Sequence, residues 1–307
     1  QDENGEVALC TLSAVNLGAL DSIDELEDIT EIIVRSLDSL LDYQDYPLKS
    51  AELTSNNRRT LGIGVTNLAY YLAKNNAKYS DGSGNELVHK TFEALQYYSL
   101  KASNKLAVEF GACPLFSETK YAQGILPVYS YKNDIDDFCN TKLELDWDSL
   151  RKDIKATGLR NSTLTALMPC ESSSQISNST NGIEPPRGFV SIKQSKDGIL
   201  KQVVPEYEKL YKKYELLWDI KDNEGYLQLC AIMQKFVDQS ISTNTHYDPS
   251  KFEGNRVPMK LFLMDLLKAY KYGIKTLYYH TTRDGASDDQ NNTKPNDDDC
   301  EDGVCKL

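Results

Sequence analysis

The sequence predicts an α/β fold in which short parallel strands, buried on both faces, are separated by long helices. Three observations carry this. Apolar residues recur at helical spacing over long stretches. The runs between those stretches are short and apolar, without polar alternation. No Pro/Gly/Ser linker divides the chain before about residue 283.

Val7 to Leu12 is the first short strand. Ser22 to Leu41 is a helix: Ser22-x-x-Glu25 forms a capping box, and Ile23, Leu26, Ile29, Ile33, Leu37 and Leu40 recur on one face. Arg59 to Lys74 reads as a helix with one apolar side, although Gly62 and Gly64 weaken its start. Asn85 to Phe110 is a long helix ended by Gly111 and Pro114. Asp146 to Ala156 is another, with Asp146 as N-cap and Gly158 as stop. Ser162 to Met168 and Gly188 to Lys193 read as strands. Gly225 to Ile241 and Pro258 to Tyr272 read as helices, Pro258 suiting a first turn. Lys275 to Tyr279 is the last strand.

The chain has 307 residues, 40% hydrophobic and 26% charged, which is globular rather than fibrous or disordered. Its net charge of −12 repels phosphate backbones and anionic lipid, so neither nucleic acid nor membrane is an expected partner. No apolar run approaches the roughly 18 residues of a spanning helix. The N-terminal Asp2, Glu3 and Glu6 lack the pattern of a secretory signal. Seven cysteines, an odd number without dense spacing, point to a reducing, cytoplasmic setting. The three histidines do not cluster with cysteine, so no metal site is expected. Residues 284–307 hold eight acidic residues, two lysines and no aromatic, so this stretch carries −6. Such a segment buries too little apolar surface to offset its ordering entropy, and a flexible acidic tail follows a body of residues 1–283.

Several constellations can carry chemistry. Cys300 and Cys305, four residues apart on the tail, can close into a disulfide and swing into a buried site, as a thiol shuttle does. An incidental pair is the competing reading, and the neighbouring acids oppose thiolate formation. Tyr278-Tyr279 can relay an electron and a proton, but with 19 tyrosines and two further doublets strand packing is the stronger explanation of the pair taken alone. Pro169, Cys170, Glu171, Ser172 and Ser173 follow a strand and open a helix, the setting of an anion cradle or of ordinary serine capping. Cys10 lies in an apolar strand. Cys113, Cys139, Cys170 and Cys230 read as structural.

In company, these motifs resemble the C-terminal part of the large, catalytic subunit of class Ia ribonucleoside-diphosphate reductases of bacterial or bacteriophage type. Trp147 to Leu150 and Gly158 to Ser172 (GLRNSTLTALMPCES) look like the family signature. Leu9 to Ser13, Arg58 to Val65, Asn181 to Gly188 and Thr276 to Tyr279 support it. The resemblance implies the C-terminal half of a ten-stranded α/β barrel that reduces ribonucleoside diphosphates by thiyl-radical chemistry. It implies that Cys10 is one of two barrel cysteines that supply electrons and become a disulfide. Pro169 to Ser173 would hold the substrate diphosphate, with Cys170 standing where relatives often carry Ser. Tyr278 and Tyr279 would relay the radical, and Cys300 and Cys305 would re-reduce the barrel and be reduced by thioredoxin or glutaredoxin.

The same resemblance implies that this chain binds no cofactor of its own. A diiron–tyrosyl radical sits in the small (beta) subunit. ATP, dATP and other dNTP effectors bind the N-terminal half, which also holds the radical-forming cysteine and the second barrel cysteine. Half a barrel leaves an open sheet edge. The expectation is therefore an obligate partner, the N-terminal half as a separate chain, or else a trimmed chain. A non-catalytic remnant that only docks the small subunit is the alternative. A free-standing dithiol redox protein is weakened by the lack of a CxxC motif beside a βαβ start.

Overall fold

The computed structural model describes residues 5–9, 11–195 and 198–283, together with the backbone of 300–301 and 304–305. In chain order the strands are β1 (Leu12–Asn16), β2 (Gly62–Thr66), β3 (Val190–Ser195), β4 (Gly198–Val203), β5 (Thr243–Tyr247), β6 (Leu277–Thr282), β7 (Cys300–Glu301) and β8 (Val304–Cys305). The helices are α1 (Leu26–Tyr43), α2 (Lys49–Arg58), α3 (Leu68–Lys74), α4 (Asn85–Phe110), α5 (Trp147–Thr157), α6 (Glu171–Ile176), α7 (Tyr207–Leu210), α8 (Glu224–Phe236) and α9 (Met259–Lys271).

Five extended segments run parallel and neighbour one another in chain order. β1 pairs with β2 from Leu12↔Gly62 to Asn16↔Thr66. β2 is bridged to the segment 163–168 at Ile63↔Thr165, with Ala166 N–H donating to the Ile63 carbonyl at 3.1 Å. That segment is bridged to 239–242 at Leu167↔Ile241, with Ser242 N–H donating to the Leu167 carbonyl at 2.8 Å. β5 continues from there and pairs with β6. A run of parallel strands joined through helices is half of an α/β barrel, and it does not close among the described residues. The outer edges of β1 and β6 have no strand partner among them. The core lies between the sheet and its helices, with Phe92, Leu95 and Leu100 of α4 and Leu227, Ile232 and Phe236 of α8 at or near full burial.

The structure divides the predicted helix 59–74 into three parts. α2 ends at Arg58, β2 takes 62–66 and α3 starts at Leu68. Every residue of β2 is buried, as a parallel strand covered on both faces requires. Gly64 explains the choice: a Cβ there would sit 2.6 Å from the Ala166 carbonyl oxygen. The glycine is what lets two strands pass closely.

The first strand begins later than predicted, at Leu12. Val7 instead donates its N–H to the Thr54 hydroxyl at 2.8 Å, which docks the segment on α2. The helix predicted to 241 ends at Phe236, because 239–242 join the sheet. The strand at 188–193 is one arm of an antiparallel hairpin whose second arm, β4, gave no separate sequence signal. The capping box is displaced: Ser22 Oγ accepts from Asp24 N–H at 3.2 Å, while Glu25 Oε2 accepts from Asp21 N–H at 3.1 Å. Among the described residues no helix is long and apolar enough to cross a membrane.

Candidate active site

The C-terminal ends of parallel strands are where α/β folds gather ligands. Here three of them meet around one loop. Asn16 ends β1, Asn67 follows β2 in left-handed conformation, and Met168-Pro169 ends the third strand. Asn67 Nδ2 donates to Asn16 Oδ1 at 2.9 Å, and Asn67 Oδ1 accepts from Thr180 N–H at 2.9 Å. Thr66 Oγ1 donates to the Thr180 carbonyl at 2.9 Å. These bonds fix the loop 177–182 against the sheet. Sequence reasoning passed over both asparagines, although each stands at the end of an apolar strand.

On this support sits the predicted diphosphate loop. Pro169, Glu171, Ser172 and Ser173 are exposed, and the first-turn N–H groups of α6 have no intrahelical acceptor. Cys170 differs. Its N–H donates to Asn181 Oδ1 at 2.8 Å, and its buried thiol lies 3.6 Å from the Val65 carbonyl. Burial raises that thiol above its ordinary pKa. The side chain belongs to the core, and the exposed side chains of the loop are those of Pro169, Glu171, Ser172 and Ser173. Asn181 Nδ2 also donates to Glu171 Oε1 at 3.0 Å, which anchors the loop at both ends.

The tyrosine doublet lies on β6. The register changes from Thr243↔Leu277 to Thr245↔His280, so two residues of β6 stand opposite Asn244 alone. This is a β-bulge, and it undoes the usual alternation of consecutive side chains. Tyr278 and Tyr279 therefore stack, with ring centres 4.1 Å apart. Both are about half exposed, at 50% and 58%. A hydrogen bond with Tyr279 raises the Tyr278 phenol above its ordinary value.

Asn244 holds the bulge. Its Oδ1 accepts the Tyr279 N–H at 2.9 Å, and its Nδ2 donates to Glu184 Oε1 at 2.5 Å. Glu184 stands in the loop that follows the diphosphate segment. Burial opposes its ionisation, but His246, 3.5 Å away, and the Asn244 bond outweigh burial and hold the carboxyl below the usual range. Nothing in the spacing of the sequence marked Asn244 or Glu184, because a bulge is a property of register.

Cys10 lies outside the described residues, as does most of 284–307. Cys300 and Cys305 face each other in the backbone register of β7 and β8. Cys113, Cys139, Cys170 and Cys230 are buried and free. Burial pushes Cys113 up to about 11 and Cys230 up to about 12, which suits inert core thiols. Among the described residues no three His, Cys, Asp or Glu side chains gather closely enough to hold a metal ion.

Comparison with known proteins follows the same lines. Residues 1–280 match the family model described as ribonucleotide reductase, barrel domain. The chain is 66% identical over 306 residues to the ribonucleoside-diphosphate reductase subunit alpha of Haemophilus influenzae, covering 100% of this chain and 40% of that protein. It is 65% identical over 269 residues to subunit alpha of the Escherichia coli reductase 1, covering 87% and 35%. It is 50% identical over 309 residues to the subunit alpha of Enterobacteria phage T4, covering 99% and 40%. The chain thus spans well under half the length of these relatives.

Proposed function

The chain belongs to the ribonucleotide reductase barrel-domain family, and from that membership we propose that it supplies the C-terminal half of the active barrel of a ribonucleoside-diphosphate reductase. In this reading the loop Pro169 to Ser173 holds the substrate diphosphate through the exposed first turn of α6. Tyr278 and Tyr279 carry a radical from the diiron–tyrosyl radical of a small subunit. The 2′-hydroxyl of the ribose leaves as water and hydrogen takes its place. Two electrons come from Cys10 and a second barrel thiol, which join as a disulfide. Cys300 and Cys305 then exchange with that disulfide and are themselves reduced by thioredoxin or glutaredoxin.

The barrel is completed by the N-terminal half of the large subunit, which also brings the effector sites. Its supply as a separate chain is part of the proposal. The support is the pair of outer strand edges, β1 and β6, which have no strand partner among the described residues; an uncovered edge is a template for pairing with another chain.

One observation carries the radical reading. The bulge stacks Tyr278 on Tyr279, and a hydrogen-bonded chain through Asn244 and Glu184 ties the doublet to the loop beside the diphosphate segment. Tyrosines placed for packing alone need neither the bulge nor half-exposed rings.

The test is nucleoside-diphosphate reduction with the small subunit present, by this chain alone and then mixed with the N-terminal half. Activity only in the mixture is the expected result. A stable but inactive mixture would leave the chain as an assembly piece.

A further inference from the structure

A second chamber opens at the other end of the sheet, where the parallel strands begin. It is a cavity of about 490 Å³ bounded by Thr60 ahead of β2, Thr163 ahead of the third strand, Asp238 ahead of the fourth and Lys275 ahead of β6. The diphosphate loop lies at the opposite, C-terminal ends, so this chamber is separate from the candidate active site. Its volume falls in the range of small-molecule sites, about 300–1,000 Å³.

Its charge runs against that of the chain. The protein carries −12, yet Arg58, Lys120, Lys132, Lys235 and Lys275 line the chamber with only Glu118 and Asp238 to oppose them. Both carboxylates are engaged. Glu118 pairs with Arg58 at 2.9 Å. Asp238 accepts from the N–H groups of Leu164 and Thr165 at 2.8 and 2.9 Å and from the Tyr121 hydroxyl at 2.8 Å. Lys275 donates to the carbonyls of Val237, Asp238 and Gln239 just beyond α8.

Lys235 is buried, with Nζ 3.2 Å from His89 Nε2 and 4.2 Å from the centre of the Tyr131 ring, and Asp136 comes only to 3.9 Å. Lys120 and Lys132 have no carboxylate within ion-pair distance among the described residues. The lining therefore carries a cationic excess, and Lys132 Nζ also lies over the Tyr270 ring, 6.0 Å from its centre.

The remaining lining mixes three tyrosines with aliphatic and small hydroxyl residues. The hydroxyls of Tyr121, Tyr131 and Tyr272 are already bonded to Asp238, Asp136 and Glu224. Tyr121 is buried, so what is left for a guest is the part of the Tyr131 and Tyr272 rings not covered by Lys235 and Phe138, with Ile125 and Pro127 beside them. Cations without a carboxylate partner next to such walls suit a guest with one flat apolar part and one anionic part.

We propose that this chamber binds a small organic anion made of one planar ring and one phosphate or carboxylate group, the ring against Tyr131, Tyr272, Ile125 and Pro127 and the anion held by Lys120 and Lys132. The proposal stands on the cavity and does not depend on the reductase reading. Isothermal titration of the full chain with 4-nitrophenyl phosphate, 4-nitrobenzoate and inorganic phosphate tests it.

The expected result is saturable one-to-one binding of at least one ring compound, about tenfold tighter than inorganic phosphate. Lys120→Ala with Lys132→Ala should weaken it about tenfold, while Lys120→Arg with Lys132→Arg keeps it within about threefold. Which ring compound wins assigns the anion as phosphate or carboxylate. Absence of saturation, or equal affinity in the double alanine variant, would each overturn the proposal.

Discussion

Cys170 stands in the loop assigned to the diphosphate, yet its thiol faces the Val65 carbonyl inside the protein. A change at this position therefore acts on the core rather than on an anion contact. Cys170→Ser is expected to leave the KM for nucleoside diphosphate within about twofold and to alter stability by no more than about 1 kcal/mol, since the hydroxyl finds the same carbonyl. Steady-state kinetics and urea unfolding check both. A large drop in KM would put the side chain of residue 170 on the substrate.

His89 shows how burial sets a charge. It is fully buried on α4, and desolvation, helped by the Lys235 ammonium, lowers its pKa to about 4 against 6.5 for the free side chain. The neutral ring accepts a hydrogen bond from Lys235. Because the folded pKa is the lower one, the stability is present above pH 6.5 and is lost as pH falls toward 4. At pH 5 the loss from this group is about 2 kcal/mol relative to pH 7. His89→Gln keeps an acceptor for Lys235 without a titrating ring. Urea midpoints at the two pH values should draw closer in that variant by an amount of this order. An unchanged difference would place the acid sensitivity elsewhere.

At the scale of elements, periodicity found the long helices and missed what depends on pairing. α4 and α9 lie nearly where the apolar spacing put them. β2 was hidden because a strand buried on both faces shows no alternation, and its glycines read as defects in a helix rather than as the means of close approach. Of the candidate site, the loop and the doublet were legible as residue types. The asparagines that hold them were not, because their partners are distant in sequence: Asn67 to Thr180, Asn244 to Glu184 and Tyr279.

Asn244 gives the prediction of this scale. It is a positioning residue that keeps the bulge and with it the stacked rings. Asn244→Ala should lower turnover about tenfold or more while KM stays near its normal value. Asn244→Asp retains the acceptor for the Tyr279 N–H and should recover part of the rate. If Asn244→Ala unfolds the chain no further than about 1–2 kcal/mol and turnover is untouched, the bulge is incidental to radical transfer.

For the whole molecule, the proposed electron supply runs between the body and the tail. Cys300→Ser with Cys305→Ser should abolish thioredoxin-coupled turnover but leave a single turnover from thiols already reduced in the barrel. A small dithiol that enters the barrel directly should restore part of the rate. Full thioredoxin-coupled activity in the double variant would remove the tail from the pathway. The two outcomes also separate assembly from chemistry, because neither cysteine lies in the parallel sheet.

The open sheet has one more consequence. Its two outer edges, without a strand partner among the described residues, present main-chain donors and acceptors, and those groups are the same in every polypeptide. What a mating piece must match is spacing and direction of travel, not the identity of side chains. The seam is therefore generic and behaves as an interchangeable fitting. On the proposal that the N-terminal half is a separate chain, a bacterial complement and a phage complement with the same strand register would meet the same main-chain groups here. Selection between them then falls on the side chains behind the seam, such as Leu12, which is 45% exposed at the rim of β1.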